Sequence, residues 1–133
     1  MRILQPPGWP RPRGYANGVA AEGRLVVVAG QIGWDETGTI VSDDLVDQLR
    51  QTLENTLAVL REDGAGPEHV ARMTWYVTDR REYLARAREL GEAYRGLMGR
   101  HYPTMAVVEV KALLEDRAKI EIETTAVVPS GRR

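Results

Sequence analysis

The spacing of apolar residues changes several times along the chain, and each change marks a predicted element. Residues 24–30 are almost all apolar and rich in valine, which predicts a central strand buried on both faces. Another extended run begins at Val19, and Glu22-Gly23 lies between the two runs, so we expect a β-hairpin here. Before Gly14, the prolines and glycines leave room only for a short edge strand or an arm.

Two amphipathic helices are predicted where apolar residues recur every three or four positions. The first covers residues 45–60 and stops before Gly64 and Pro67. Its N-cap and first-turn acids come from three successive residues: Ser42, Asp43 and Asp44. The second starts after Thr78 or Asp79 and ends near Gly99. It carries an apolar stripe composed of Tyr83, Ala87, Leu90, Tyr94 and Leu97.

Three more strands complete the predicted fold. Residues 70–78 alternate, with Met73, Trp75 and Val77 on an apolar face, and residues 104–111 and 118–128 close the chain. The order ββ-α-β-α-ββ predicts an α+β class, with two helices on one face of a mixed sheet. The 133 residues fit a single domain, 1–133, in which residues 1–13 form a proline-rich N-terminal arm.

The alternation in the last two strands separates two faces. Ile120 and Ile122, together with the even residues 106, 108 and 110, fit a core under the helices. If the two strands are neighbours, the odd face brings together Met105, Val107, Glu109, Lys111, Glu121 and Glu123. That face is either a solvated sheet surface with paired charges, or a subunit interface with a polar pocket at its edge.

Composition narrows the classes of partner. The 18 basic and 19 acidic residues nearly cancel, so we expect neither a nucleic-acid nor a membrane-surface partner. There is no cysteine, which excludes disulfides and thiolate chemistry, and a cytoplasmic location is the simplest expectation. We expect no metal site, because the two histidines, His69 and His101, lie far apart in loop-like segments.

The remaining chemistry is acid–base catalysis by a carboxylate. Glycine-bearing segments such as AGQIGWDETG match neither a phosphate loop nor a dinucleotide fingerprint. Glu121, with Glu123 and Glu109 beside it, is a candidate for holding or activating a water molecule. The alternative is structural, a salt bridge to Lys111 or Arg72.

Several segments in series resemble one known family. GYANGV, VVVAGQIGWD, QTLENTLAVLREDGAGPEHVARMTWYVTD, AYRGLMGRHYPTMAVVEV and KIEIETTAVV are similar, in order and spacing, to the RidA/YjgF reactive-intermediate deaminases over residues 14–128. The resemblance implies a chorismate-mutase-like subunit and a homotrimer with a central barrel and small-molecule clefts between subunits. It also implies hydrolysis of enamines or imines, such as 2-aminoacrylate, to 2-oxo acids and ammonia without a cofactor.

The resemblance also carries over site residues one by one. Tyr15 matches a tyrosine that closes the pocket, Gly30 and Gln31 match a substrate-binding turn, and Glu121 matches a glutamate associated with the water. Val107 lies two residues beyond the position at which the family has a carboxylate-binding arginine. That position is Met105 in this chain.

Met105 limits how far the family's activity can be expected of this chain. A thioether has no charge, and loss of a bidentate charged pair costs about 2–5 kcal/mol of binding, so we expect poor 2-aminoacrylate hydrolysis. Gly91 is a second departure, because deaminases of the main subgroup often carry asparagine there. A cation from elsewhere could replace the arginine; the candidates are Arg11, Arg13, Arg100, His101 and Lys111.

Two functional hypotheses follow. One is an arginine-lacking RidA-family trimer that hydrolyses a less acidic enamine or imine through Glu121. The alternative is a non-catalytic trimer that binds a metabolite or a protein partner. A ribonuclease is disfavoured by the near-zero net charge and the lack of a base-stacking stripe.

Overall fold

A four-stranded mixed sheet with helices on one face forms the body of the protein, as a computed structural model of residues 1–130 describes it. The elements in chain order are β1 (Arg2–Leu4), β2 (Gly18–Ala20), β3 (Arg24–Gln31), α1 (Leu45–Arg61), β4 (Val70–Val77), α2 (Arg80–Ala85), α3 (Ala87–Met98), β5 (Thr104–Glu109) and β6 (Ile120–Val128). The strand order is β3-β6-β4-β5, with only β4 and β5 parallel. The predicted α+β class is confirmed. Within residues 1–130, no helix has the length and apolar character needed to cross a membrane.

The two helical regions lie where the apolar periodicity predicts them. Asp44 is the N-cap of α1, and its side chain accepts a hydrogen bond from the Asp47 amide. Leucines of α1 are buried against the sheet: Leu45, Leu49, Leu53 and Leu60. The second predicted helix is divided in two at Arg86, whose backbone (φ −107°, ψ 15°) leaves the helical region. The side chain of Asp79 caps the first part, α2.

The predicted hairpin between β2 and β3 is wrong. The strand β2 pairs with β1, whereas β3 pairs with β6 and forms an edge of the main sheet. Gly23 directs the chain away, because it has φ +148° and lies against the carbonyl group of Val128, where no side chain would fit. As an edge strand β3 is buried on one face only, and Leu25 and Val27 are 64% and 68% exposed on the other.

The predicted odd face of the last two strands is also wrong, because β4 lies between β5 and β6. Met105 pairs with Met73 and Val107 with Trp75, so these side chains point toward the helices. Glu121 and Glu123 of β6 lie on the opposite, open face, together with Ala106 and Val108 of β5, which we expected in the core. The prediction for Ile120 and Ile122 is confirmed, since both are fully buried.

Candidate functional site

A cleft of about 440 Å³ lies between α3 and the edge strand β5. It forms because α1 packs on β3 and β6 and α3 lies over β4, while β5 extends past the helices. Its floor and helical wall are mainly aromatic or aliphatic: Trp75, Tyr83, Ala87, Leu90 and Tyr94. On the open side, Met105 and Val107 line it from the helix-facing side of β5.

The end of the N-terminal arm closes one side of this cleft. The Ala16 amide donates a hydrogen bond of 2.9 Å to the carbonyl of Pro103, and Ala16 forms a parallel bridge with Thr104. The arm therefore runs beside the start of β5. This pairing places Tyr15, which is 41% exposed, in the cleft with Met105.

An aromatic cluster forms part of the cleft wall. The rings of Tyr94 and Tyr102 stack at 5.7 Å, and Tyr94 also contacts Trp75 at 6.1 Å. The Tyr94 hydroxyl donates to the carbonyl of His101 at 2.6 Å, and burial, with the neighbouring Tyr102, raises the pKa of Tyr94 above its usual range. Tyr94 therefore stays protonated and donates a structural hydrogen bond to the His101 carbonyl.

Glu121 and Gly30 form a second group on the open face of the sheet. The Glu121 carboxylate occupies the space that a side chain on Gly30 would take. Both residues line a depression of about 300 Å³ that also includes Trp34 and Leu114. Gln31, at the end of β3, donates its side-chain amide to the Ala29 carbonyl at 3.2 Å.

The site residues inferred from the family thus fall into two groups within one chain. Tyr15, Met105 and Val107 lie together in the cleft. Gly30 and Glu121 lie on the other face of the sheet, with Gln31 next to Gly30 in sequence. A single chain does not bring the two groups together.

The cleft contains two cations. Arg13, a candidate replacement for the missing arginine, lines it from the arm, and Arg95 lines it from α3. Arg11, Arg100 and His101 instead line a separate cavity beneath the arm, and Lys111 lies beyond the end of β5. The sequence-based prediction did not include Arg95, which follows Gly91 by four residues and therefore lies on the same side of α3.

Both histidines have backbone partners. Nδ1 of His69 accepts a hydrogen bond from the Gly66 amide at 3.0 Å, and Nε2 of His101 lies 2.7 Å from the Val70 carbonyl oxygen. Among residues 1–130 no three histidine, aspartate or glutamate side chains are grouped as metal ligands would be.

Known proteins share this fold and sequence. A family profile described as Endoribonuclease L-PSP matches residues 10–128. A 2-iminobutanoate/2-iminopropanoate deaminase from Salmonella typhimurium is 34% identical, over 85% of this chain and 86% of the relative. The structure of YyfB, a Rid-family protein from Yersinia pestis, is 31% identical with a TM-score of 0.80, covering 96% of this chain and 98% of YyfB. Escherichia coli TdcF with bound serine is 30% identical with a TM-score of 0.69, covering 96% and 99%.

Proposed function

Because the chain belongs to the endoribonuclease L-PSP family, which includes the RidA/YjgF proteins, we propose that it hydrolyses small enamines or imines without a cofactor. The family supports imine deamination in general, since a relative 34% identical is named a 2-iminobutanoate/2-iminopropanoate deaminase. The observation that carries the proposal is the aromatic cleft in which Tyr15 lies beside Met105 and Val107.

The reaction needs little from the protein beyond position and proton transfer. An enamine takes up a proton at carbon and loses one from nitrogen to become an imine, and water adds to the electrophilic imine carbon. The resulting carbinolamine loses ammonia as its hydroxyl group becomes the carbonyl oxygen. One imine and one water therefore give one carbonyl compound and one ammonia. Orientation of substrate and water supplies the main acceleration.

We further propose that the active unit is a homotrimer with its sites between subunits. The open face of the sheet exposes Leu25, Val27 and Val108, an apolar surface that favours association. The same face carries Glu121, so contact between copies would bring Glu121 of one subunit toward the cleft of another. This arrangement accounts for two groups of site residues that one chain keeps apart.

Glu121 is the proposed acid–base group. Gly30 leaves room for its carboxylate at the surface, where a water molecule is accessible to it. A carboxylate in that place can accept a proton from the attacking water and return one to the departing nitrogen. Glu123 lies on the same face of β6 but accepts a 2.6 Å hydrogen bond from the Tyr76 hydroxyl, which assigns it a structural role.

The test compares Glu121→Gln with Glu123→Gln as a control on the same strand. Imines of small and of bulky apolar amino acids are generated in situ, and 2-oxo acid formation is followed above the spontaneous rate. We expect Glu121→Gln to lower the rate about 10²- to 10⁴-fold, and Glu123→Gln to change it little. Sedimentation of both variants should still show three-chain particles. A wild-type rate equal to the spontaneous rate for every imine would exclude the hydrolase.

The second candidate is a non-catalytic trimer that binds a metabolite or a protein. Met105 favours it, because the strand position that could supply a cation to the cleft supplies a thioether. Under this alternative Glu121→Gln keeps both the trimer and the affinity for ligand, and no imine is consumed by the wild type.

A further inference from the structure

We propose that Arg95 binds the carboxylate of the ligand in this cleft, and that the ligand is a 2-imino or 2-oxo acid with a branched or aromatic side chain. This inference rests on the proposed imine hydrolysis for the identity of the reacting group. A carboxylate ligand was not expected, because β5 has Met105 in place of a cation. The proposed cation is Arg95, which comes from helix α3.

The position of the Arg95 guanidinium depends on Gly91. In a helix, side chains lean toward the N-terminus, so the residue at i+4 lies over residue i. Nη1 of Arg95 lies 3.2 Å from the point where a β-carbon on Gly91 would be. Because Gly91 has no side chain, the Arg95 guanidinium can pass over this position to the cleft.

Backbone conformation does not explain this glycine. Gly91 lies inside α3 and is not among the glycines with positive φ. A glycine inside a helix is destabilising relative to alanine. A β-carbon at this position would require the Arg95 guanidinium to shift by a few tenths of an ångström.

Arg95 is also free to bind a ligand. Its neighbours Arg86 and Arg88 both form ion pairs, Arg86 with Asp44 and Glu89, and Arg88 with Glu92. Within residues 1–130, the Arg95 side chain has neither an ion pair nor a hydrogen bond. The cleft lining includes Arg13 as a second cation and contains no acidic residue. Its charge therefore favours an anion, and a planar guanidinium suits a carboxylate.

The rest of the cleft selects the side chain of the ligand. In one chain the cleft has a volume of about 440 Å³, and apart from its two arginines its walls are mainly aromatic or aliphatic. The half-buried side chains of Tyr102 and Met105 offer contact surface for a branched alkyl or aryl group. Met105 thus adds apolar surface to the cleft wall, whereas a charged residue at this position would leave less room for an apolar group of the ligand.

The test measures equilibrium binding by calorimetry with 4-methyl-2-oxopentanoate, its neutral amide, and pyruvate. We expect the wild type to bind the branched acid at least about 10-fold more tightly than the amide or pyruvate. Arg95→Gln should weaken binding of the branched acid by roughly 10- to 100-fold and leave the amide unchanged. Arg88→Gln, which makes the same charge change on the same helix outside the cleft, should have no effect. Gly91→Asn should weaken acid binding by displacing the guanidinium.

Three results would overturn the inference: equal binding of acid and amide, no measurable binding of either, or an Arg95→Gln effect no larger than that of Arg88→Gln. The two proposals fail separately. If acid binding depends on Arg95 but no imine is hydrolysed, the inference stands and the hydrolase is wrong. If imines are hydrolysed with the same KM in Arg95→Gln, the anchor is wrong and the hydrolase stands.

Discussion

Gln48 connects helix α1 to the segment that precedes Glu121, and its replacement gives a quantitative test of the fold. Its side chain is fully buried. The side-chain amide nitrogen donates to the carbonyls of Ser42 at 2.9 Å and Arg117 at 3.0 Å, and its oxygen accepts from the Lys119 amide at 2.8 Å. Gln48 thereby satisfies three backbone groups from two loops.

The substitution Gln48→Leu keeps the volume and removes all three hydrogen bonds. Each bond contributes about 1 kcal/mol net, and the backbone groups are only partly accessible to replacement water. After a small gain from the more apolar side chain, the free energy of unfolding should fall by about 2–3 kcal/mol. Gln51→Leu is the matched control on the same helix, because Gln51 makes one side-chain bond, to Asn55. Its expected loss is below about 1 kcal/mol.

Urea unfolding followed by tryptophan fluorescence measures both variants at one protein concentration. With a slope of about 1–3 kcal/mol per molar urea, a loss of about 2–3 kcal/mol should lower the midpoint for Gln48→Leu by about 0.7–3 M. Hydrogen exchange at the Lys119 amide should accelerate in the same variant, because its acceptor is gone. If Gln48→Leu unfolds at the same urea concentration as Gln51→Leu, the three bonds do not stabilise the fold as reasoned.

Two further predictions concern the cleft and the start of α1. Met105→Arg adds a guanidinium to the cleft, so calorimetry should show pyruvate binding roughly 10- to 150-fold more tightly, whereas the uncharged control Met105→Gln should bind pyruvate as the wild type does. No gain would show that Met105 does not face the ligand. The Arg86 guanidinium, followed by the Asp47 amide, lowers the pKa of Asp44. Its stabilisation, below about 1 kcal/mol at this exposed site, should be complete above about pH 4 and disappear as the pH falls further. Urea midpoints of wild type and Asp44→Asn should therefore converge in acid; a constant difference would contradict the ion pair.

Residue periodicity predicted the buried face of β4 but not the order of the strands in the sheet. Met73, Trp75 and Val77 are buried as their alternation indicates, because one face of β4 must contact the helices in any arrangement of the strands. The same rule cannot say which strand lies beside which. The strand β5 pairs with β4 in a register that places Met105 and Val107 opposite Met73 and Trp75, so Ala106 and Val108 point to the open face instead of the expected core.

The candidate site was predictable only as far as the family's pattern extends. Tyr15 and Met105 meet because the arm pairs with the start of β5, a contact that local sequence does not specify. Arg95 was missed because a solvated arginine on a helix looks like any other. In the structure Arg95 differs from Arg88 because it lines the cleft beside Gly91, whereas Arg88 lies outside the cleft and pairs with Glu92.

The exposed face of β3 indicates where another copy of the chain would bind. The sequence of β3 is typical of a strand covered on both faces, yet in one chain Leu25 and Val27 are exposed. Burying an apolar side chain fully is worth about 1.5–3 kcal/mol, so covering this face with another copy would be favourable. Glu121 lies on that face as well. A contact that covers Leu25 and Val27 would therefore also bring the proposed acid–base group to a neighbouring subunit. Assembly and catalysis would then depend on one surface, and a charge introduced at Val27 should abolish both.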